Sequence, residues 1–146
     1  MNKLALTALA VLLLPLHIFG SEVTVIEKID NVQLAKLALE ENFTVSEVKE
    51  DHLQLILDDA KCFLLIHENG NNFKFFSGFR NSPTAWEKIN AFNRDFRFGR
   101  AYLDTEGDPC LEIDLDLTGG VTSDRIKTFL KTCRIVFLVW RHKVVN

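Results

Sequence analysis

The sequence predicts an α+β domain in the order α-β-β-β-α-β-β-α, with an antiparallel sheet packed by helices. Three observations carry that expectation. Apolar residues recur at helical spacing over residues 30–42, 83–96 and 122–140, while the stretches between them alternate apolar and polar with period two. Turn signals separate the alternating stretches: Asp58-Asp59, Asn69-Gly70, Thr105-Glu106-Gly107-Asp108-Pro109 and Gly119-Gly120. The densest information lies in Trp86 to Thr122, where an amphipathic helix leads into two sharply patterned strands and a Gly-Gly turn.

The first twenty residues stand apart from this pattern. Lys3 precedes an almost unbroken apolar run from Leu4 to Leu14, and Gly20 supplies a small residue for signal peptidase, the arrangement of a secretory signal peptide at 1–20. The alternative is a retained anchor, but Pro15 and His17 interrupt the apolar stretch, which falls short of the roughly 20 residues that span a bilayer. Residues 21–146 form one domain, because no repeat, linker or low-complexity tract divides them.

Asp30 caps a first helix whose apolar positions are Val32, Leu34, Ala35, Leu37, Ala38 and Leu39, ending near Asn42. Three strands follow. Leu53, Leu55 and Leu57 alternate, Cys62 to Ile66 runs continuously apolar as a strand covered on both faces would, and Phe73, Phe75 and Phe79 mark an aromatic strand. Ser82 before Pro83 offers a hydroxyl cap and a first-turn proline for the second helix, on which Ala85, Ile89, Phe92 and Phe96 share a face with Trp86 at its edge. Asn90, Asn93 and Arg97 follow i, i+3, i+7 spacing and, with Arg94, form a polar stripe beside that face.

The next two strands alternate almost without error. Leu111, Ile113, Leu115 and Leu117 face one way, and Glu112, Asp114 and Asp116 the other. Like faces must meet in a hairpin, so the loop holds an odd number of residues and Arg100 is expected opposite Asp114 or Asp116. After Gly119-Gly120, Thr122 or Ser123 caps the last helix, striped by Ile126, Phe129, Leu130, Cys133, Phe137 and Trp140. Beyond Thr132 the helix is apolar all round, which requires burial on several sides and makes Ile135, Leu138, Val139 and Trp140 a candidate interface.

Composition and spacing exclude more than they assign. Loss of Lys3 with the leader leaves 16 of the 17 Lys and Arg against 20 Asp and Glu, a net of −4, which argues against nucleic acid as a partner. Cys62, Cys110 and Cys133 are odd in number and sit in apolar runs, leaving one bridge or none open. The mature histidines lack zinc-site spacing, and no nucleophile elbow, phosphate loop or dinucleotide fingerprint occurs. Glu112, Asp114 and Asp116 lie about 6.6–6.8 Å apart along a strand face, too far to share an ion without further ligands, so the expectation is a solvated acidic face neutralised by Arg100. No catalytic residue, metal or cofactor is expected. Within the polar stripe, Asn93 is expected to be half-buried and to bond backbone at the helix–sheet boundary; Arg97 has either such a structural role or, with Arg94, offers planar donors to a carboxylate or a peptide.

The run Ile89-Asn90-Ala91-Phe92-Asn93-Arg94, then Arg97 to Asp104, Gly107-Asp108-Pro109 and Leu111 to Leu117 with Gly119-Gly120-Val121-Thr122, resembles the YbjN-domain family of bacteria. The resemblance is specific over about residues 90–122, and the element order extends it over roughly 30–140. It implies a fold like the type III secretion chaperones, which dimerise and bind protein segments, in a family described as sensory-transduction regulators. It carries no catalytic residues. The expected function is therefore an exported, non-enzymatic binding module, periplasmic or secreted, engaging an envelope protein or peptide and able to form a homodimer. The alternative is a small-ligand sensor with a pocket between the sheet and helix 83–96.

Overall fold

The structure, a computed structural model, describes residues 24–146. The expected signal peptide at 1–20 lies outside the described residues. A six-stranded antiparallel sheet runs in the order β2-β3-β4-β5-β7-β6, built from β2 (Thr44–Val48), β3 (His52–Leu57), β4 (Ala60–Ile66), β5 (Asn72–Gly78), β6 (Arg100–Leu103) and β7 (Pro109–Asp116). A separate two-stranded ribbon pairs β1 (Val25–Ile26) with β8 (Val121–Thr122). The helices are α1 (Asn31–Glu40), α2 (Trp86–Asp95) and α3 (Ser123–Trp140), the last passing into a π-helical turn, Arg141–Val145. The expected order of three helices and five strands holds, and the structure adds β2 and the ribbon.

Local chemistry accounts for the elements. Asp30 and Gln33 form a reciprocal capping box at α1: the Asp30 carboxylate accepts from the Gln33 N–H at 2.8 Å, and the Gln33 side chain accepts from the Asp30 N–H at 3.3 Å. Asn42, at φ 58°, takes the left-handed conformation that ends the helix. Asp58 and Asp59, at φ 48° and 61°, make the tight turn between β3 and β4, since a right-twisted hairpin with a two-residue loop needs positive φ at both central positions. The Thr122 hydroxyl accepts from the Arg125 N–H and caps α3.

Leu53, Leu55, Cys62, Leu64, Phe73, Phe75, Leu111 and Ile113 point from the sheet into a core roofed by α3, which buries Ile126, Phe129, Leu130, Cys133, Val136, Phe137 and Trp140. Edge-on aromatic pairs join the layers: Phe73–Phe129 at 5.3 Å and Phe75–Phe137 at 6.1 Å between ring centroids. Lys127 and Lys131 pair with Glu40 and Glu41 at the end of α1, and Arg134 donates to the Glu41 and Asn42 carbonyls, holding α1 beside α3.

Four expectations are corrected. The Ser82 hydroxyl does not cap a helix at Pro83; α2 begins at Trp86 behind Ala85, because the backbone N–H groups of Asn81 and Ser82 are held by the buried Asp108 carboxylate. Val32 and Leu39 of α1 do not face the core but are 75% and 58% exposed. Strand β4 is covered on one face only: Phe63 and Leu65 stay half-buried on the side away from the helices. Trp140 belongs to the core, fully buried against Phe137 and Phe79, and not to an outer interface.

Gly99 sits where a Cβ would lie 2.9 Å from Val136 Cγ1 and 3.0 Å from Leu111 Cδ1, so α3 approaches the chain here more closely than any side chain permits. A Gly99→Ala variant is expected to lose about 1–3 kcal/mol, as overpacked cores do. Urea unfolding measures it; an unchanged midpoint would mean that α3 does not close over this position.

Candidate functional site

The expected Arg100 pairing resolves differently. Arg100 lies opposite Glu112, and Asp114 and Asp116 lie opposite Lys74 and Asn72 of β5. The parity argument holds, since the partner is even-numbered, but the hairpin is tighter than expected. Asp104 Oδ1 accepts the N–H groups of Glu106 and Asp108, both at 2.9 Å, and Gly107 turns at φ 84°, closing the loop over residues 104–108. Asp104, Glu106 and Asp108 bring carboxylate oxygens within 4.8 Å of one another. Two of these carboxylates already accept backbone N–H groups, so the cluster is accounted for by the turn it builds.

Glu112 is not on a solvated face. It is 5% exposed, with Oε1 accepting from Lys74 Nζ at 3.0 Å and from the Tyr102 hydroxyl at 3.1 Å, while Arg100 Nη2 bonds Oε2. Burial raises the carboxyl pKa, the donors Arg100, Lys74 and Tyr102 together lower it by more, and the net position is below the ordinary value. Burial, followed by the bond to Glu112, pushes the Tyr102 phenol up to about 12. The sequence shows the acid of this network but not its cover, which comes from the two neighbouring strands, β5 and β6.

The polar stripe divides in two. Asn93 clamps the start of β6: its Nδ2 donates to the Ala101 carbonyl and its Oδ1 accepts the Ala101 N–H, both at 2.9 Å. The residue is exposed overall rather than half-buried. Arg94 pairs with its neighbour Asp95, and Asn90 and Arg97 stand exposed. In the candidate interface Ile135 and Leu138 are 63% and 43% exposed, Val139 is half-buried and Trp140 is interior. The three cysteines are free and buried. Burial pushes the Cys62 thiol up to about 12 and Cys133 well above its ordinary value, which keeps both protonated and poorly nucleophilic.

Sequence reasoning missed a strongly apolar recess among the described residues. Val32, Ala35 and Leu39 of α1 and Val48 of β2 line an open trough of about 640 Å³, rimmed by Lys36 and Glu40. Val48 is itself 50% exposed. The only sequence signal was the breadth of the α1 apolar stripe, wider than one core contact needs. A second cleft, of about 340 Å³, lies between Phe98, Ile113, Asp114 and the first half of α3. Asn93 and Arg97 line neither.

The sequence profile of the YbjN family, described as "putative bacterial sensory transduction regulator", matches residues 32–138. The chain belongs to the YbjN family. The crystal structure of the Escherichia coli YbjN, titled a "putative transcription regulator", is similar with a TM-score of 0.61 and 16% identity, covering 84% of this chain and 99% of that one. The Yersinia pestis type III secretion chaperone SycH, solved in complex with a stable fragment of YscM2, is similar with a TM-score of 0.52 and 16% identity, covering 75% of this chain and 96% of that one. At such identities the likeness establishes the fold, and it is the chaperone-like fold that the YbjN resemblance implied. No curated protein matches the chain.

The lowered Glu112 pKa has a definite sign in stability. Its contribution is present above the ordinary carboxylate range near 4.5 and is lost as pH falls through the lower folded value. Glu112→Gln is therefore expected to cost about 1 kcal/mol at neutral pH, with Arg100 and Lys74 left solvated enough to soften the loss. The deficit should shrink toward pH 3 in urea unfolding series run in parallel with wild type. A deficit that does not change with pH would mean that the carboxylate charge adds nothing to the fold.

Proposed function

We propose that this chain is a non-enzymatic, regulatory protein-binding module that takes an apolar segment of a partner protein into the trough between α1 and β2. One observation carries the reading: Val32, Leu39 and Val48 expose most or half of their surface together, side by side, on a domain with core enough to bury them elsewhere. The fold is shared with a chaperone solved around a fragment of another protein, which supports a protein as the ligand class. The regulatory description of the YbjN family points the same way.

Two further parts belong to the proposal. Export to the periplasm or beyond rests on Lys3 and the apolar run Leu4–Leu14, and makes the partner an envelope protein. Self-association rests on Ile135 and Leu138, exposed on α3 beside the half-buried Val139. The small-ligand reading has less support. The Asn93 amide that would face a ligand is bonded to Ala101, and Asn93 and Arg97 stand apart from the trough and the α3 cleft.

A photo-crosslinking residue at Lys36, on the trough rim, is expected to capture a partner in cells producing the full chain. Leu39→Asp should cut that capture about tenfold, the effect of removing one buried leucine anchor, while leaving the unfolding midpoint unchanged. Equal capture by the variant would move the binding surface elsewhere. Sedimentation tests self-association separately: Ile135→Lys should shift a dimer to monomer, and a wild type that is monomeric at high concentration would remove the dimer from the proposal.

A further inference from the structure

Strand β7 is longer than the partner on its outer side. It runs to Asp116, but β6 pairs with it only from Pro109 to Glu112 and stops at Arg100. Continuing the register would place Phe98 opposite Asp114. Phe98 cannot take that place, because its φ of 72° is left-handed and incompatible with an extended strand. A bulky aromatic residue rarely holds this conformation, and here Phe98 is 73% exposed.

The hydrogen-bond direction shows what is left open. The Leu117 N–H donates to Asn71 and the Phe79 N–H to Pro109, so odd-numbered residues of β7 turn their backbone groups toward β5. The even-numbered residues face the other way, where Glu112 meets Arg100. Asp114 and Asp116 therefore direct their N–H and C=O groups into a notch that β6 leaves vacant. The cleft lined by Phe98, Ile113, Asp114, Arg125, Thr128, Phe129 and Thr132 opens there. The opposite edge of the sheet is better guarded: β2 carries a register shift between Val45 and Glu47 and the charged Glu47, with Lys49 paired to it just past the strand end.

We infer that this notch is a second, independent binding site, which accepts an extended segment of a partner protein as an added strand on the free edge of β7. Charge selects the occupant. Residues opposite Asp114 and Asp116 put their side chains on the same sheet face as these two exposed carboxylates, so they are basic. Of the nearby cations, Lys74 and Arg100 are held by Glu112, and Arg125 stands on α3, at the helix side of the cleft. The residue between the two basic ones points to the helix side, into the cleft beside Phe98 and Phe129, and is apolar. The motif is basic–apolar–basic in extended conformation. A second copy of the chain is disfavoured, since antiparallel pairing about Leu115 would set Asp114 against Asp116 of its twin.

The test uses the full chain and a short, end-capped peptide of alternating lysine and valine, compared with its glutamate counterpart and with a version N-methylated along the edge that meets β7. The lysine peptide is expected to bind and, near saturation, to slow amide exchange at Asp114 and Asp116 by roughly tenfold. The other two peptides should not. Asp114→Asn with Asp116→Asn, both exposed, the amide oxygen at 116 still able to accept the Thr118 N–H, should weaken binding about fivefold with the fold intact by circular dichroism. Four results would overturn the assignment: no binding, equal binding of the glutamate peptide, protection confined to α1 and β2, or Asp114 and Asp116 amides already protected without peptide. Failure here leaves the α1–β2 trough untouched, because Leu39→Asp does not reach this notch.

Discussion

Everything else in this structure depends on α3 lying across the sheet. Its aromatic residues meet those of β5 edge to face, Phe129 on Phe73 and Phe137 on Phe75, and Trp140 continues the row onto Phe79. Directional contacts of this kind fix how far the helix slides and turns on the sheet, which a layer of aliphatic side chains would leave looser. From the other side of α3, Lys127, Lys131 and Arg134 hold the end of α1, and this sets the distance from α1 to β2 on which the apolar trough depends. Gly99 admits α3 against the chain between α2 and β6. The geometry of both edges of the sheet follows from the seating of this one helix.

What could be read from the sequence follows from how local each cause is. The alternation of Leu53, Leu55 and Leu57, and of Leu111, Ile113 and Leu115, names the buried face directly, because a strand with one covered side has no other solution. The Asp30 cap and the Thr122 cap act within one helical turn and are equally legible. Strand β2 is obscured by its own register shift at Ser46, which breaks the alternation before it can be recognised. The helix start at Ser82 fails for a reason distant in sequence: Asp108, just before β7, holds the Asn81 and Ser82 N–H groups and keeps the chain there outside the helix. Burial of Glu112 is similar, since Lys74, Arg100 and Tyr102 converge on it from two neighbouring strands. The sites proposed for binding are the least legible. They exist because of what stops short, β6 at Arg100, and of what is left facing out, Val32 and Leu39.

The proposed sites lie toward opposite edges of one rigid sheet, the trough beside β2 and the notch beside β6. They differ in chemistry. The trough recognises apolar bulk with little regard to backbone direction, whereas the notch demands an extended backbone and a charge pattern. Selectivity then comes from the notch and contact area from the trough, and a partner that satisfies both gains effective concentration for the second contact once the first is made.

The order of elements along the chain has a consequence for when this fold can form. The helix that closes the core is the last one, and Val144, in the turn beyond it, is fully buried and bonded through its carbonyl to Thr84. Arg141 reaches back to the carboxylate of Asp58 at the β3–β4 turn. Until these final residues are available, the inner face of the sheet has no cover and its strands no reason to stay assembled. The domain therefore closes only when its third helix has been made, and until then the aromatic inner face of the sheet is open to other proteins.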